Sequence, residues 1–252
     1  MMIRKTTYED IPVVLQIIHE AKEYFRNNQI NQWQGPYPLE EDIKEDIDQG
    51  FSYVYEEDGE VIGTCCIKLE DDPNYKVMVE GKWLNDEPYG VIHRIAIQPN
   101  KKGKGIAQRF FQYAQDMALD QGIYNLRIDT HKDNLSMQRA IQKFDFLYTG
   151  IVTVEDGSLR NAYQKVLIPN DTIERIEKME EIYQEVLHAL KMKEITFIVK
   201  HNLHLLNAYY QSPLWLEDYE KDENHLLPDT LKRGVLSQDG LYNLLSEINE
   251  VL

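Results

Sequence analysis

The sequence predicts a mixed α/β domain followed by a smaller, mainly helical domain. Strand and helix patterns alternate up to residue 167. A strand, a glycine turn and a helix follow one another directly within residues 89–122. Beyond residue 168 the apolar residues recur only at the spacing of amphipathic helices. We therefore predict two domains, residues 1–167 and residues 168–252.

The first part of the α/β domain contains short strands and two helices. The patterns predict a strand at residues 3–5, helices at 8–27 and 39–49, and a hairpin of residues 51–56 and 61–69 around an Asp-Gly turn. Residues 70–87 are acidic and follow neither period, so we predict that they are irregular.

The central stretch has the pattern of an anion-binding site. Residues 91–97 form an apolar, β-branched run in which His93 and Arg94 are the polar exceptions. A turn of glycines and lysines follows at residues 100–105, and apolar residues at helical spacing begin at Ile106. Backbone amides and the positive end of a helix dipole would then meet near the lysines, an arrangement that binds anions.

The remaining elements complete the two domains. We expect a strand at residues 125–129, a helix at 135–143, and a hairpin of residues 146–154 and 161–167. In the second domain we expect helices at residues 171–192, 195–210 and 240–251. A charged segment at 216–239, with Pro213, Pro228 and Gly234 as punctuation, lies between the last two.

Composition excludes several classes of function. The net charge of -16 argues against a nucleic-acid partner or an anionic membrane surface, because both need a basic face. Neither a membrane span nor a signal peptide is visible in the sequence, so we expect a cytoplasmic protein. The two cysteines, Cys65 and Cys66, are adjacent on a strand and should face opposite sides, which disfavours a disulfide or a metal site.

The central stretch resembles the Gcn5-related N-acetyltransferases (GNAT family). Their acyl-CoA signature is Q/R-x-x-G-x-G/A, and Lys102-Gly103-Lys104-Gly105-Ile106-Ala107 fills it with lysine at the first position. The resemblance covers residues 3–167 and includes a D-N-x-x-M helix start at residues 133–137. The spacing of the glycines does not match a Walker A motif or a dinucleotide-binding motif. Residues 173–183 and 227–245 resemble a small helical bacterial domain of unknown function.

The resemblance implies a GNAT-type mixed sheet, acetyl-CoA as co-substrate and no metal. It implies that the pantetheine arm pairs with Ile95, Ala96 and Ile97, and that the amides of residues 102–107 bind the pyrophosphate. Asn134 matches the family's pantetheine-contacting asparagine, although it also suits a helix N-cap. An amine, either a small molecule or a protein amino group, would then attack the thioester directly.

The resemblance indicates the catalytic residues less fully than the cofactor-binding residues. His93 is the candidate general base, because related enzymes have a histidine on this strand and its ordinary pKa of about 6.5 suits the task. A structural role at a strand bulge remains the alternative. We expect Arg94 on the opposite face, as an ion-pair or substrate contact. Ile141 stands where the family often has a tyrosine acid, which leaves Tyr148, Tyr163 or water for that role.

The residues that would bind the acceptor are predicted by analogy with the fold of the family. In this fold the first helices and their loop cover the acceptor, so Gln32, Trp33 and Tyr37 are candidate wall residues, with core packing open for Trp33. The predicted function is an N-acetyltransferase that binds acetyl-CoA and an amine, with a homodimer left open. The alternative is a catalytically weak or inactive acyl-CoA-binding module that acts as a sensor or scaffold through its helical domain.

Overall fold

The computed structural model describes residues 2–169 and 171–249. The chain forms two compact units, Met1–Leu167 and Ile168–Leu252. Within the described residues, every helix is too short or too polar to cross a bilayer.

The first unit is built on one mixed sheet. Its strands are β1 (Met2–Lys5), β2 (Ser52–Glu57), β3 (Glu60–Lys68), β4 (Met78–Gly81), β5 (Gly90–Ile97), β6 (Asn125–Thr130), β7 (Leu147–Thr153) and β8 (Leu159–Val166). They lie in the order β1-β2-β3-β5-β6-β8-β7-β4. The pair β5–β6 is parallel and the other neighbours are antiparallel. The predicted mixed α/β fold is confirmed.

Helices cover both faces of this sheet. They are α1 (Ile11–Asn27), α2 (Glu40–Asp48), α3 (Ile106–Asp120) and α4 (Leu135–Lys143). Helices α1 and α2 pack on the face that presents Val54 and Ala96. Helices α3 and α4 pack on the opposite face, which presents Ile92 and Ile95. The sheet is buried on both sides because its strands alternate apolar residues toward each helical layer.

Residues 70–87 are more ordered than predicted. A 3-10 turn at Pro73–Tyr75 is followed by β4, which pairs antiparallel with β7 at the edge of the sheet. The prediction of an irregular segment was wrong because β4 has only four residues and depends on its distant partner β7. The Asp72 side chain caps the 3-10 turn by accepting from the Asn74 amide at 2.8 Å.

In the part of the second unit that the structure describes, four α-helices surround a separate core. These are α5 (Thr172–Met192), α6 (Phe197–Tyr210), α7 (Pro213–Glu223) and α8 (Gln238–Asn249). Helix α7 overlaps the charged segment, in which we predicted no helix. Its start signal is Ser212, which caps the helix, followed by Pro213 in the first turn. Val251, the predicted end of the last helix, lies outside the described residues.

A buried ion pair crosses this second core. The Arg175 guanidinium donates to the Asp218 carboxylate at 2.7 and 2.6 Å, and the Tyr209 hydroxyl donates to the same carboxylate at 2.7 Å. Both charged side chains are almost fully buried, at 1% and 0% exposed. Because each charge is paired and hydrogen-bonded, the core tolerates them without exposure to water.

Candidate active site

A large cleft lies in the first unit, where β5 and β6 separate. These strands pair in parallel from Gly90 to Ile92, and the cleft opens at the next residue of β5, His93. Its volume is about 950 Å³. Where two adjacent strands separate, the backbone and side chains of both strands are exposed. The cleft can therefore bind an extended ligand.

A bulge in β5 determines which side chains face the cleft. Thr64 pairs with Ala96 and Cys66 pairs with His93, so β5 has one residue more than β3 between these pairs. Arg94 adopts a positive φ of 52° at this point. Its guanidinium donates to the sulfur of Cys66, the cross-strand partner of His93, at 3.3 Å. His93 and Arg94 therefore lie on one face, and the predicted opposite orientation was wrong, because the bulge breaks the two-residue alternation.

One end of the cleft is formed by the start of α3. Gly103 and Gly105 adopt positive φ values of 79° and 80°, and both lie in the cleft wall. Among the described residues, the amides of residues 103–108 have no hydrogen-bond acceptor. Free amides at a helix N-terminus attract an anion. A methyl group built on either glycine would have no atom within 4 Å, so the backbone is open to a ligand.

Positive side chains surround this end. Lys102, Arg139 and Lys143 line the cleft there. The Lys102 ammonium lies 3.6 Å from the Tyr24 ring centroid, and burial lowers the pKa of Lys102. Lys104, which we predicted to bind the cofactor, is absent from the described lining of the cleft. The other five residues of the signature line it. Backbone amides and three cations fit the phosphates of acyl-CoA.

The middle of the cleft is lined by an apolar stretch of β5 and by the end of β6. Ile95, Ala96 and Ile97 line it, as the resemblance implied for the pantetheine contact. Thr130, at the end of β6, is 1% exposed, and its hydroxyl has no partner among the described residues. The hydroxyl itself is therefore almost inaccessible from the cleft, which other atoms of Thr130 line.

Asn134 joins α4 to the loop after α1. Its side-chain oxygen accepts from the Met137 amide at 3.2 Å, which is the expected N-cap. Its Nδ2 donates to Oε1 of Gln32 at 2.9 Å. Asn134 and Gln32 both line the cleft, so the helix start and the predicted acceptor loop meet there.

The other end contains His93 between two carboxylates. Nε2 of His93 lies 2.7 Å from Oδ2 of Asp72, and Nδ1 lies 3.7 Å from Oδ1 of Asp129. The buried Tyr75 hydroxyl donates to Oδ1 of Asp129 at 2.6 Å. Burial alone would raise the pKa of Asp72, but hydrogen bonds from His93 and Asn74 and the charge of His93 lower it to about 2. Burial, followed by the negative Asp129, raises the pKa of Tyr75.

The predicted acceptor residues lie in the cleft wall. Gln32, Trp33, Tyr37 and Arg94 all line it. Trp33 also packs edge-to-face on Phe25, with ring centroids 5.6 Å apart, so it has the packing role as well. Arg94 donates to the Tyr37 hydroxyl at 2.6 Å and is paired with Asp46 of α2.

The two candidate acids lie elsewhere. Tyr163 is 1% exposed, and its hydroxyl donates to Gln138 at 3.3 Å. Tyr148 packs edge-to-face on Tyr163 and is 43% exposed. Neither is among the described residues that line the cleft, whereas His93 is. The structure thus separates both tyrosines from His93.

Sequence reasoning missed the partners of His93. Asp72 and Tyr75 come from the segment that we predicted as irregular, and Asp129 is near the end of β6. A usable signal was present, because Asp72-Pro73 is a helix-start pattern in an otherwise formless stretch. The pairing with His93, 21 residues away, has no signal in the sequence.

Two known families match the chain. Residues 15–146 match the Acetyltransferase (GNAT) family, and residues 176–252 match a domain of unknown function, DUF4298. No curated protein sequence matches.

Solved structures share the fold of the first unit. A GNAT-family acetyltransferase from Streptococcus agalactiae is 33% identical, with a TM-score of 0.60, over 66% of this chain and 94% of that chain. A structure from Staphylococcus aureus assigned as an acetyltransferase is 28% identical, with a TM-score of 0.51, over 66% of this chain and 99% of that chain. A GNAT-family acetyltransferase from Listeria monocytogenes shows the same fold at 16% identity, with a TM-score of 0.52, over 66% and 94% of the two chains. The family match and the Streptococcus agalactiae structure together show that this chain belongs to the GNAT acetyltransferase family.

Proposed function

We propose that this protein transfers an acetyl group from acetyl-CoA to a primary amine, a small molecule or a protein amino group, by direct attack. The observation that supports this most strongly is the composition of one cleft. It has free amides at the start of α3, three cations in its wall, and His93 between carboxylates at the other end. A phosphate-bearing donor and a basic acceptor would thus lie along one continuous path.

The donor end uses the backbone. The amides at the start of α3 would bind the pyrophosphate, with Lys102 and Lys143 nearby. The Asn134 side chain would contact the arm that follows, beside Ile95 to Ile97. Bound acetyl-CoA supplies the thioester, whose carbonyl carbon accepts the nucleophile.

The β5 bulge suits the developing negative charge. In a bulge the extra residue leaves the regular ladder, which frees backbone groups for a ligand. A strand amide near Arg94 and Ile95 would donate to the thioester oxygen as it becomes anionic, and a fixed donor of this type is worth about 10²–10³ in rate.

The acceptor needs a base. An alkyl ammonium has a pKa of about 10 and is mostly protonated at neutral pH, so it cannot attack until it loses a proton. His93 is the group in the cleft whose ordinary pKa allows it to take that proton. The departing thiol has an ordinary pKa of about 8.5 and can leave as a thiolate that water protonates. A tyrosine acid is therefore not required.

The purified protein tests this proposal directly. Incubation with acetyl-CoA and a panel of amines should release free thiol in proportion to acetylated amine. Exchange of His93→Ala should lower kcat/KM by about 10²–10⁴, the usual worth of a general base, and leave the dissociation constant of acetyl-CoA unchanged. An absence of acetyl-CoA binding in the wild type would disprove the proposal.

One observation favours a second candidate, an acyl-CoA-binding module with weak or no turnover. Ile141, at the position where the family often has a tyrosine acid, is fully buried in the core at 0% exposed. Binding of acetyl-CoA without thiol release for any amine in the panel would select this candidate.

The roles of the two units are also proposals. The first unit contains the whole cleft, so we assign the transferase to residues 1–167 and an accessory role to residues 168–252. Both cysteines are free and buried, which supports a reducing, cytoplasmic location. Deletion of the second unit should leave acetyl-CoA binding intact if this division is right.

A further inference from the structure

The two nitrogens of His93 have different environments. Nε2 is within hydrogen-bond distance of Asp72, at 2.7 Å, whereas Nδ1 is 3.7 Å from Asp129, which exceeds a hydrogen bond. The three side chains are largely buried, at 18% exposed for His93, 9% for Asp72 and 11% for Asp129. Water therefore screens these groups weakly, and the identity of the bonded nitrogen has chemical consequences.

Asp72 is fixed in place before it meets His93. Its Oδ1 accepts from the amide and the side-chain Nδ2 of Asn74, at 2.8 and 2.9 Å. Its own amide donates to the Tyr89 hydroxyl at 3.1 Å. Oδ2 then remains for His93. Because an ionised carboxylate can only accept, Nε2 must carry the hydrogen, and the neutral ring presents its lone pair at Nδ1.

Asp129 is fixed in the same manner. The Tyr75 hydroxyl donates to Oδ1 at 2.6 Å, and Arg160 Nε lies 3.9 Å from Oδ2. Nδ1 of His93 and Oδ1 of Asp129 are 3.7 Å apart, so a donor group of a ligand can lie between them and hydrogen-bond to both. A single nitrogen placed beside both atoms can donate one hydrogen to each at about 2.9 Å.

We propose that Asp72 is a positioning residue that makes Nδ1 of His93 the proton acceptor, and that Nδ1 and Oδ1 of Asp129 together bind the acceptor as a primary ammonium. This inference rests on the proposed N-acetyltransferase function. It names the acceptor class as an alkyl ammonium, since a group with at least two N–H donors and a positive charge matches two acceptors and a carboxylate.

The proton balance is complete with these groups. One ammonium proton passes to Nδ1, and the freed lone pair attacks the thioester carbon. The new C–N bond forms, the C–S bond breaks, and the second amine proton leaves with the thiolate as CoA thiol. The imidazolium then returns its proton to solvent, and Asp129 stays ionised throughout.

Other groups near the ring are already engaged. Cys66 is its cross-strand partner, Arg94 is paired with Asp46, and the Tyr75 ring lies 5.8 Å away. Of the described charged side chains, Asp72 and Asp129 are thus the two that approach His93 directly, and Arg160 approaches only Asp129.

The tautomer can be measured without turnover. In protein labelled with ¹⁵N-histidine, the His93 resonances, assigned by their loss in His93→Gln, should show a hydrogen on Nε2 and none on Nδ1. Asp72→Asn should change this pattern, because an amide can donate to Nε2, whereas Asp71→Asn, at the exposed neighbour, should preserve it. A hydrogen on Nδ1 in the neutral wild-type ring would overturn the inference.

Kinetics test the same residue in the active protein. Asp72→Asn should lower kcat/KM at least about tenfold, within the range that a general base contributes. It should also move the acidic limb of the pH profile to lower pH, because loss of the carboxylate disfavours the imidazolium. Asp71→Asn should change neither. Unchanged kinetics in Asp72→Asn, with an active wild type, would refute the positioning role and leave the proposed function intact.

Asp129 has a separate readout. Asp129→Asn should raise KM for an aliphatic amine about tenfold or more, the loss expected for a charge-assisted contact of about 1.4 kcal/mol or more. KM for aniline, which is neutral at pH 7, should change much less, and KM for acetyl-CoA should not change. Equal effects on both amines would exclude ammonium recognition by Asp129.

Discussion

Arg94 of β5 donates through one guanidinium nitrogen to both carboxylate oxygens of Asp46 of α2, 48 residues away. The two side chains are 13% and 5% exposed. Burial would lower the pKa of Arg94, but the neighbouring Cys66, Tyr37 and Asp46 raise it. The pair joins the bulge beside His93 to the helix and loop that we propose as the acceptor wall.

Loss of Asp46 should destabilise the first unit. Asp46→Ala leaves a mostly buried guanidinium unpaired, which costs about 3–5 kcal/mol when one partner of a buried pair is removed. Urea unfolding should show this loss. The neighbouring Glu45→Ala, at an exposed side chain on the same helix, should change stability by less than about 0.5 kcal/mol. Equal effects of the two exchanges would mean that the pair contributes little.

Gly105 should matter more for the binding of acetyl-CoA than for the stability of the fold. Gly105 and Gly59 both have φ of 80° and open space where a Cβ would lie, but only Gly105 lines the cleft. Alanine at either site should cost about 1–2 kcal/mol of stability, because a side chain disfavours positive φ. Only Gly105→Ala should raise the dissociation constant of acetyl-CoA, by about tenfold or more, or ~1.4 kcal/mol. Calorimetric titration of both variants with acetyl-CoA distinguishes an effect of backbone strain from the loss of a contact with the ligand.

The second unit should lose stability in mild acid through His201. This residue is 6% exposed, its Nε2 has no partner among the described residues, and burial followed by the charge of His204 lowers its pKa to about 4. The unfolded value is about 6.5, so between these values the unfolded chain binds more protons. Stability is therefore full above about pH 6.5 and falls as pH decreases toward 4, by about 3 kcal/mol in all.

Hydrogen exchange in α5 and α6 between pH 7 and 4.5 measures this loss. His201→Leu should flatten the pH dependence, whereas His204→Gln, at the exposed neighbour on the same helix, should retain it. A pH dependence that survives in His201→Leu would assign the effect to other groups.

The two hairpin tyrosines should be dispensable for turnover. Tyr148→Phe and Tyr163→Phe remove hydroxyls that lie away from the cleft, so kcat should change by less than about twofold, against the 10²–10⁴ expected for a general acid. Thiol release under saturating acetyl-CoA provides the measurement. A large loss of kcat with unchanged folding would restore the tyrosine as the acid.

The local patterns of the sequence determined the fold class and the donor end of the cleft. The strand of residues 91–97, the two glycines of the turn and the helix from Ile106 are neighbours in the chain, so spacing alone predicts a strand, an anion-binding turn and a helix. Asn134 was predictable for the same reason, because an N-cap acts within three residues.

The tertiary structure decided the end of the cleft that we propose for the acceptor. The β5 bulge turned Arg94 to the side of His93, and a bulge appears only when two strands pair with unequal residue counts. The four-residue strand β4 formed because β7 pairs with it. Asp72 and Tyr75, from the 3-10 turn, and Asp129, from β6, converge on His93, and contacts between distant elements leave no period or spacing in the sequence.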